Sequence, residues 1–274
     1  MTGTKSFLFQ SFTAADKMIT LTSDFGLADP YTAEMKGVIL TKDPNATIID
    51  VTHCVEKFNV RMGAFVMASA APYFPKGTVH LAVVDPGVGT ERRAILIQAK
   101  NCFFVGPDNG VLMLAAQNQG IMHVYEVANS MFMLPKTSCT FHGRDVFAPA
   151  AAHLDMGVNP SEFGPEIKDP VNPEFASFKL VKGVFIGEVL YVDSFGNIIT
   201  NINPKENIQA KTVNVKIQDF TLKLALGKTY AHAKLQEPIA LMGSHGFLEI
   251  ALNQANAAEK FHAKAGDRVE VSRA

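Results

Sequence analysis

A carboxylate and two guanidinium groups stand where the sequence predicts the end of a buried strand. The near-continuous apolar run VHLAVV (79–84) is typical of a strand that is buried on both faces of a parallel sheet. Asp85 follows this run directly, and Arg92 and Arg93 come after a glycine-rich turn. A turn requires glycine and proline but no such charges, so the charges indicate a site that binds or activates a ligand.

Two further polar sets have the same placement. Ser23 and Asp24 come directly after the predicted strand MITLT (18–22), and the segment 140–145 places His142 just before a predicted helix. Ligands of open parallel sheets bind outside the carboxyl ends of the strands. The sequence therefore predicts a cleft lined by Asp, Arg and His side chains, although each set taken alone is also explained by a cap or a stabilised turn.

Three other chemistries fit the motifs less well. The D-F-G triplet at 24–26 is shared with protein kinases, but the chain contains no H-R-D loop and no glycine-rich phosphate loop. In G-V-G-T-E-R (87–92) an arginine replaces the third glycine of a dinucleotide-binding fingerprint. No acidic or histidine pair has ligand spacing on one element, so we predict no metal. A hydrolytic metal site remains an alternative for Asp24, Asp85, His142 and Asp145.

Alternating strand and helix patterns must position these residues. From residue 18 to about residue 156, short β-type runs alternate with helical patterns. This rhythm predicts a mostly parallel sheet with helices on both faces. The first predicted helix is YTAEMKGVILTK (31–42), for which Asp29 is the expected N-cap and Pro30 the first helical residue.

The character of the chain changes after residue 157. Four prolines before residue 179 predict a linker, and evenly spaced short strands beyond it predict a small barrel or sandwich. We therefore expect the α/β fold class, with a mostly parallel sheet flanked by helices and then a smaller all-β domain. The predicted boundaries are an extension at 1–17, an α/β domain at 18–160, a linker at 161–180 and the β domain at 181–274.

Composition narrows the function classes. The 274 residues are 47% apolar and 19% charged, as in ordinary globular proteins, and a net charge of −1 gives no reason to bind nucleic acid or an anionic membrane. The chain has no apolar run of the ~18 residues that a membrane span needs, and the apolar patch at 7–9 is too short for a signal peptide. Three cysteines without C-x-x-C spacing predict reduced thiols. We expect a cytoplasmic protein.

Six ordered blocks of sequence resemble a known family. They cover nearly the whole chain and are similar to the signature blocks of the S-adenosyl-L-methionine (SAM) hydrolases. These are the adenosine-forming SAM hydroxide adenosyltransferases, which are related to the fluorinating and chlorinating SAM enzymes. The blocks are T-S-D-F-G (22–26), D-P-G-V-G-T-x-R (85–92), F-x-G-P-D-N-G (104–110), T-F-H-G-R-D-x-F-A-P-A-A-A (140–152), D-S-F-G-N-I-I-T-N-I (193–202) and G-S-H-G-F-L-E-I-A (243–251).

The resemblance implies a fold, a reaction and an assembly. The implied fold is an α/β domain followed by a β-barrel domain, in a homotrimer whose active sites lie between subunits. The implied reaction is hydrolysis of SAM to adenosine and L-methionine, by in-line attack of activated water or hydroxide on ribose C5' and without a cofactor. Asp85, Arg92 and His142 fall on the family's catalytic set, in which Arg92 would favour hydroxide and His142 would accept a proton.

The resemblance also implies residues that bind SAM. Asp24 is expected to accept hydrogen bonds from both ribose hydroxyls, Asp193 to pair with the methionine ammonium, and Asn197 to bind the adenine edge. Some relatives have arginine in place of His245. The other implied contacts are Asp29, Tyr31, Phe195, Ser244, His245 and Phe247.

Two alternatives stay open beside hydrolysis. One is a halide-using SAM adenosyltransferase. This activity is less expected, because the fluorinating relatives carry an extra loop in the first domain and this sequence has no long insertion there. The other is a nucleoside- or SAM-binding sensor without turnover, although a pure binder has no need of a group that activates water.

Overall fold

The first half of the chain builds a six-stranded sheet, seen in a computed structural model that describes residues 18–203, 208 and 210–274. Its strands are β1 (Ile19–Ser23), β2 (Ile48–Thr52), β3 (Val79–Val83), β4 (Ala94–Ala99), β5 (Phe103–Pro107) and β6 (Ile121–Glu126). They lie in the order β2-β1-β3-β5-β4-β6, and only β4 runs against its neighbours in this sheet. The prediction of a mostly parallel sheet is confirmed. The expected extension at 1–17 lies outside the described residues.

Helices cover both faces of the sheet, as predicted. They are α1 (Tyr31–Lys42), α2 (Val60–Ala70), α3 (Met113–Gln119) and α4 (Ala148–Asp155), and a π-helical turn, Gly143–Phe147, leads into α4. On one face α1 packs beside α4, whose buried alanines allow the helix to approach β1 and β3 closely. On the other face α2 and α3 enclose a second apolar core. The carboxyl ends of β1 and β3 lie side by side at one edge of the sheet.

The start of α1 differs from the prediction. Pro30 already has helical backbone angles (φ −76°, ψ −5°), and its carbonyl accepts a hydrogen bond from the Glu34 N–H at 2.9 Å. No side chain caps this end of the helix. The prediction that Asp29 is the N-cap is wrong, because Pro30 occupies that position, and the exposed Asp29 carboxylate takes no part in the helix.

The second half of the chain forms a closed barrel, which excludes the sandwich. Its strands are β7 (Lys179–Val181), β8 (Val184–Val192), β9 (Ile198–Thr200), β10 (Thr212–Ile217), β11 (Phe220–Gly227), β12 (Pro238–Met242), β13 (Leu248–Leu252) and β14 (Arg268–Arg273). The ring runs β14-β10-β11-β12-β13-β9-β8 and closes through antiparallel pairing of β8 with β14. β7 pairs with β8 outside the ring, and the short helix α5 (Ala257–Phe261) packs on the barrel core.

The segment predicted as a linker lies against the first domain. Glu166 forms a β-bridge with Tyr125 of β6, and the Val171 N–H donates to the Asp108 carboxylate at 2.8 Å. Phe175 is buried in the core beneath α2. These contacts fix where the chain enters the barrel.

The two domains also meet directly, through α2 and β8. Arg61 of α2 forms an ion pair with Glu188 of β8 at 2.8 Å. Phe65 of α2 stacks on Tyr191 of β8, with ring centroids 4.9 Å apart. None of the helices in the described ranges is both long enough and apolar enough to cross a membrane.

Candidate active site

Asp85, Arg92 and His142 form one hydrogen-bonded set beyond the end of β3. Arg92 Nε donates to Asp85 Oδ1 at 3.0 Å and to Oδ2 at 3.1 Å, and Arg92 Nη2 bonds to Asp85 Oδ2 as well. The same Nη2 donates to His142 Nδ1 at 2.9 Å. The Arg92 and Asp85 side chains are only 9% and 5% exposed. The structure therefore brings together the three residues that the resemblance grouped, and it shields their ion pair from water.

A tight turn places Arg92 beside the segment that carries His142. Gly89 has a φ of +78°, and a Cβ at this position would lie 2.3 Å from the Cys139 carbonyl oxygen. Glycine is thus required twice, for its backbone angle and for the close approach of two chain segments. The Thr90 hydroxyl donates to the Gly87 carbonyl at 2.7 Å and holds the turn. The turn and its close approach to Cys139 therefore set the position of Arg92 together.

The partners of His142 determine its proton state. Arginine only donates hydrogen bonds, so His142 Nδ1 accepts from Arg92 and a neutral ring carries its proton on Nε2. Burial and then the Arg92 charge hold the pKa of His142 below the usual 6.5, against the opposing effects of Asp85 and Asp145. The ring is partly exposed, and Nε2 has no hydrogen-bond partner in the part of the chain that the structure describes. An Nε2–H donor is thus left for a ligand.

Phe147 and Asp145 hold the π-helical turn that follows His142. The Phe147 ring lies under the Arg92 guanidinium, with its centroid 5.2 Å from Cζ. Asp145 is buried and accepts hydrogen bonds from Arg144 Nε at 2.6 Å and from the Ser138 N–H at 2.7 Å. Its carboxylate therefore supports the turn. Within the described ranges, no group of three or more His, Cys, Asp or Glu side chains is placed to hold a metal ion.

Asp24 lies at the end of the neighbouring strand β1 with one carboxylate oxygen unpaired. Its side chain is 5% exposed, and Oδ2 accepts a hydrogen bond from the Phe58 N–H at 2.8 Å. Oδ1 accepts no hydrogen bond from the described residues. Lys57 Nζ donates to the Asp24 carbonyl oxygen. The carboxylate is thus oriented by the loop after β2 and keeps an oxygen for a ligand hydroxyl.

Phe58 is an aromatic residue that the sequence reasoning missed. It is 69% exposed and has a φ of +65°, which is uncommon for a residue other than glycine. Its N–H is bonded to the Asp24 carboxylate, so the backbone that carries the exposed ring lies at the candidate ligand carboxylate. Its position beyond the carboxyl end of β2 is the signal that would have found it.

Tyr31 and Asp29 flank the same edge. Tyr31 is 43% exposed and packs edge-on against Phe141 at 5.2 Å and at a tilt against Phe25 at 5.5 Å. Phe141 directly precedes His142, so this aromatic group joins the start of α1 to the charged set. Asp29 is exposed and makes no hydrogen bond within the described ranges.

Arg93 has a structural role, and its side chain does not bond to the set; only its carbonyl oxygen accepts a long hydrogen bond of 3.5 Å from Arg92 Nη1. It forms ion pairs with the buried Asp108 and with the exposed Asp169, both at 2.8 Å. Asp169 belongs to the segment between the domains. Arg93 therefore fixes that segment to the sheet, while its neighbour Arg92 faces Asp85 and His142.

The implied residues of the barrel lie in two loops. Asp193 accepts hydrogen bonds from the N–H groups of Phe195 and Asn197 and from the Asn197 amide, all at 2.9 Å. This closes the turn between β8 and β9 and leaves Phe195 78% exposed. In the β12–β13 hairpin, the Ser244 carbonyl accepts a long hydrogen bond of 3.4 Å from Tyr73 beside α2.

His245 and Phe247 pack against α2 of the same chain. The His245 ring meets Phe65 edge-on at 5.9 Å, and Phe247 is 1% exposed with its ring 6.0 Å from Phe65. Phe247 is therefore a core residue of this chain. No hydrogen bond, ion pair or ring contact among the described residues joins the barrel loops to the Asp85–Arg92–His142 set.

Glu249 and Tyr230 form a second feature that the sequence reasoning missed. Tyr230 Oη donates to Glu249 Oε1 at 2.7 Å, and Glu249 is 6% exposed. Burial, together with the nearby Asp193 charge, raises the pKa of Glu249, although the bond to Tyr230 opposes this. The β13 strand thus adds a second carboxyl group to the neighbourhood of Asp193.

Fold and site together define a class of protein. A nearly dry ion pair at the carboxyl edge of a parallel sheet, joined to a β-barrel, is the arrangement of a two-domain α/β enzyme that acts on a small polar ligand. The chain belongs to the SAM hydroxide adenosyltransferase family. The family's N-terminal domain matches residues 19–164, and its C-terminal domain matches residues 187–270.

Relatives of known name and structure match almost the full length of the chain. The (R)-S-adenosyl-L-methionine hydrolase of Salinispora tropica is 38% identical, covering 93% of this chain and 97% of that protein. A crystal structure of a conserved protein from Thermotoga maritima is 39% identical, with a TM-score of 0.82 over 93% of this chain and all of that one. The fluorinase of an Actinoplanes species is more distant, at 29% identity over 94% of this chain and 98% of that enzyme.

Proposed function

We propose that this protein hydrolyses SAM to adenosine and L-methionine. The observation that carries the proposal is the shielded Asp85–Arg92 ion pair with its bond to the partly exposed His142. This set offers hydrogen-bond donors to an oxygen nucleophile at the edge where Asp24 keeps an unpaired oxygen among the described residues. Family membership and the hydrolase relatives support the same reaction.

The proposed step is an in-line displacement at the ribose C5' carbon. A bond forms between C5' and the nucleophile oxygen while the C5'–S bond breaks, and sulfur takes the electron pair as the neutral thioether of methionine. The sulfonium needs no acid to leave and activates C5' by itself, so we propose no cofactor. One proton leaves the water and passes to solvent. The protein must therefore supply position and charge stabilisation for the nucleophile.

The geometry favours a donor role for His142 over the proton acceptance that the sequence suggested. Nδ1 is occupied by the Arg92 guanidinium at 2.9 Å, and a second proton would place an imidazolium against that cation. Burial, and then the Arg92 charge, lower the pKa of His142 and so favour the neutral ring. We propose that Nε2–H and the guanidinium both stabilise hydroxide, while Asp85 holds Arg92 in place through hydrogen bonds from Nε and Nη2.

The remaining site residues are proposed to bind the substrate. Asp24 takes the ribose hydroxyls with its unpaired oxygen, and the exposed Phe58 ring packs on the nucleoside. Asp193, Asn197, Ser244 and His245 are proposed for the adenine and methionine ends. Because their loops make no contact with the catalytic set of their own chain, we propose a homotrimer in which the barrel of one subunit completes the site of its neighbour. We propose a cytoplasmic location, since SAM is an intracellular metabolite.

Turnover in oxygen-18 water tests the reaction and its alternatives together. The purified protein is incubated with SAM, with and without chloride, and the nucleosides are analysed by mass spectrometry. Hydrolysis at C5' predicts adenosine that carries the heavy oxygen in its 5'-hydroxyl, with or without chloride. A chlorinated nucleoside would instead establish halide transfer, and unchanged SAM with measurable binding would establish a sensor.

A further inference from the structure

A chain of side-chain hydrogen bonds runs from the surface to the end of β1, next to Asp24. Lys36 Nζ of α1 bonds to Asp50 Oδ2 of β2 at 2.6 Å. Asp50 Oδ1 lies 3.0 Å from His53 Nε2, and His53 Nδ1 lies 2.7 Å from the Ser23 hydroxyl. None of the four residues belongs to the catalytic set or to the implied SAM contacts.

The chain of bonds has one direction. Ionised Asp50 only accepts, so His53 donates from Nε2 and its Nδ1 accepts from Ser23. The Ser23 oxygen in turn accepts from the Phe25 N–H at 3.3 Å. Lys36 and Asp50 are partly exposed, with side-chain exposures of 34% and 37%, whereas His53 and Ser23 are 3% and 1% exposed. Every polar atom of the buried part thus has a partner.

This order of residues resembles a nucleophilic Ser-His-Asp triad, but the geometry argues against one. A nucleophile must reach its substrate, and Ser23 is 1% exposed. Its oxygen also accepts a backbone hydrogen bond within the turn. The serine hydroxyl is therefore part of the scaffold.

His53 joins the two turns that present Asp24. Its carbonyl oxygen accepts from the Gly26 N–H at 2.7 Å, just beyond Asp24, while its ring holds Ser23, just before Asp24. The loop that His53 begins ends at Phe58, whose N–H holds Asp24 Oδ2. Asp24 is thus bracketed on both sides by a single residue that directly follows the neighbouring strand β2.

We propose that His53 is a positioning residue, which fixes the Asp24 carboxylate for recognition of the ribose hydroxyls through the Lys36–Asp50–His53–Ser23 chain. The inference deepens the proposed function and rests on Asp24 binding the ribose. Loss of the chain frees the turn at 23–26, so Asp24 no longer meets the hydroxyls in one orientation. The effect should appear in recognition of the ribose, and not merely in stability.

Calorimetric binding of adenosine and of 2'-deoxyadenosine to the full-length protein tests this. Loss of one hydrogen bond to a charged group predicts that the wild type prefers adenosine about tenfold. In His53→Leu the preference for adenosine should fall to about twofold or less. The misplaced Asp24 carboxylate weakens binding of adenosine through its 2'-hydroxyl, whereas 2'-deoxyadenosine lacks that hydroxyl and is affected less. His53→Asn should restore most of it, since its amide can replace Nδ1 towards Ser23.

The matched control is His80→Leu, which removes another buried histidine that bonds to β1 through Thr20 at 2.8 Å, away from the turn. It should lower the melting temperature and keep the preference for adenosine. A folded His53→Leu variant with the wild-type preference would overturn the proposal. If His53→Leu does not fold, Ser23→Ala takes its place with the same expected loss. If Asp24→Asn itself keeps the preference, the ribose role of Asp24 fails, which is a separate result.

Discussion

Position 92 requires arginine because one planar group serves two partners. The guanidinium bonds to both oxygens of Asp85 and to His142 at the same time, which a lysine ammonium cannot do in this geometry. We expect Arg92→Lys to lower kcat by about 10²–10³-fold and to leave the Kd for adenosine within about threefold, since the ribose contacts remain. Steady-state kinetics and calorimetry measure the two effects.

Arg93→Lys is the control for that substitution, because Arg93 is adjacent in sequence and pairs with Asp108 and Asp169 instead. It should lower the melting temperature and keep kcat. An equal loss of kcat in both variants would mean that the turn as a whole, and not the guanidinium of Arg92, matters for turnover.

The proton on His142 can be observed directly. Nitrogen-15 NMR of the labelled protein should show the Nε2–H tautomer at neutral pH and a titration midpoint below 6.5, because burial and Arg92 disfavour the imidazolium. In Arg92→Gln the midpoint should rise, since the cation is gone and Asp85 remains to stabilise the charged ring. An Nδ1–H tautomer in the wild type would contradict the donor role proposed for Nε2.

At the scale of residues, the sequence predicted which side chains lie at the strand ends better than it predicted which side chains they contact. Asp24, Asp85 and Arg92 follow predicted strands, so they were found by the rule that ligands bind outside the carboxyl ends of parallel strands. His142 is 50 positions from Arg92; strand-end placement predicted that both line one cleft, and the resemblance assigned them to one catalytic set. The same rule would also have found His53, which directly follows β2, but His53 was not among the predicted site residues. Spacing in the sequence cannot distinguish a ligand contact from a core residue. The structure does, since Phe247 is buried and is therefore a core residue.

At the scale of elements, the turn after β3 should be sensitive to a single methyl group. In Gly89→Ala the new Cβ would meet the Cys139 carbonyl at 2.3 Å, so the turn must move and carry Arg92 with it. We expect a loss of stability of more than about 2 kcal/mol and a fall in kcat. Thermal unfolding and kinetics provide the test.

Gly183→Ala is a matched control in the β7–β8 hairpin. Gly183 has a similar φ of +80°, but no atom lies within 4 Å of an added Cβ. The variant should lose only the cost of the backbone angle, about 1 kcal/mol, and keep kcat. If both variants behave alike, the contact with Cys139 has no role in placing the site.

The buried His80, which joins β3 to β1 through Thr20, should make the stability of the protein sensitive to acid. Burial lowers the pKa of His80 on β3 to about 4, and its Nε2 has no hydrogen-bond partner among the described residues. The unfolded chain, with a pKa near 6.5, binds the proton more readily. The free energy of unfolding therefore rises with pH between about 4 and 6.5, by about 3 kcal/mol for this group. This contribution to stability is lost as the pH falls through the same range.

Urea unfolding across that pH range measures the effect. The double variant Thr20→Val/His80→Leu removes the titrating ring and its partner hydroxyl together, and it should lose this part of the pH dependence. Thr20→Val alone should retain it. An unchanged slope in the double variant would show that other groups cause the acid sensitivity.

The elements themselves were predicted where their signals are local. Alternation of strands and helices gave the parallel sheet, whereas barrel closure depends on pairing of β8 with β14, about 80 residues apart, which no local pattern contains. The cap of α1 was mistaken by one residue because Pro30 takes a helical conformation before the helix begins.

At the scale of the whole molecule, complementation between two inactive variants tests the shared site. Arg92→Ala disrupts the proposed catalytic set, and Asp193→Ala removes a proposed substrate contact of the barrel, so each variant alone should be inactive or nearly so. If sites lie between subunits, mixed assemblies should recover about a quarter of wild-type activity, the fraction of interfaces with both halves intact. The two variants are unfolded, mixed in equal amounts and refolded together, and the activity of the refolded mixture is then measured. No recovery in mixed assemblies would place each site within one chain.

The paired Asp85 and Arg92 have a consequence for the order of events in the pocket. Since their charges cancel, the proposed reaction centre is electrically neutral without a ligand, and in the proposed reaction it becomes negative only when hydroxide enters. A sulfonium compound is then drawn towards an anion, and the bond that forms annihilates both charges at once. Adenosine and the thioether are left with no ionic attraction to the centre, so the chemistry itself removes the force that held the reactants and prepares the pocket for release.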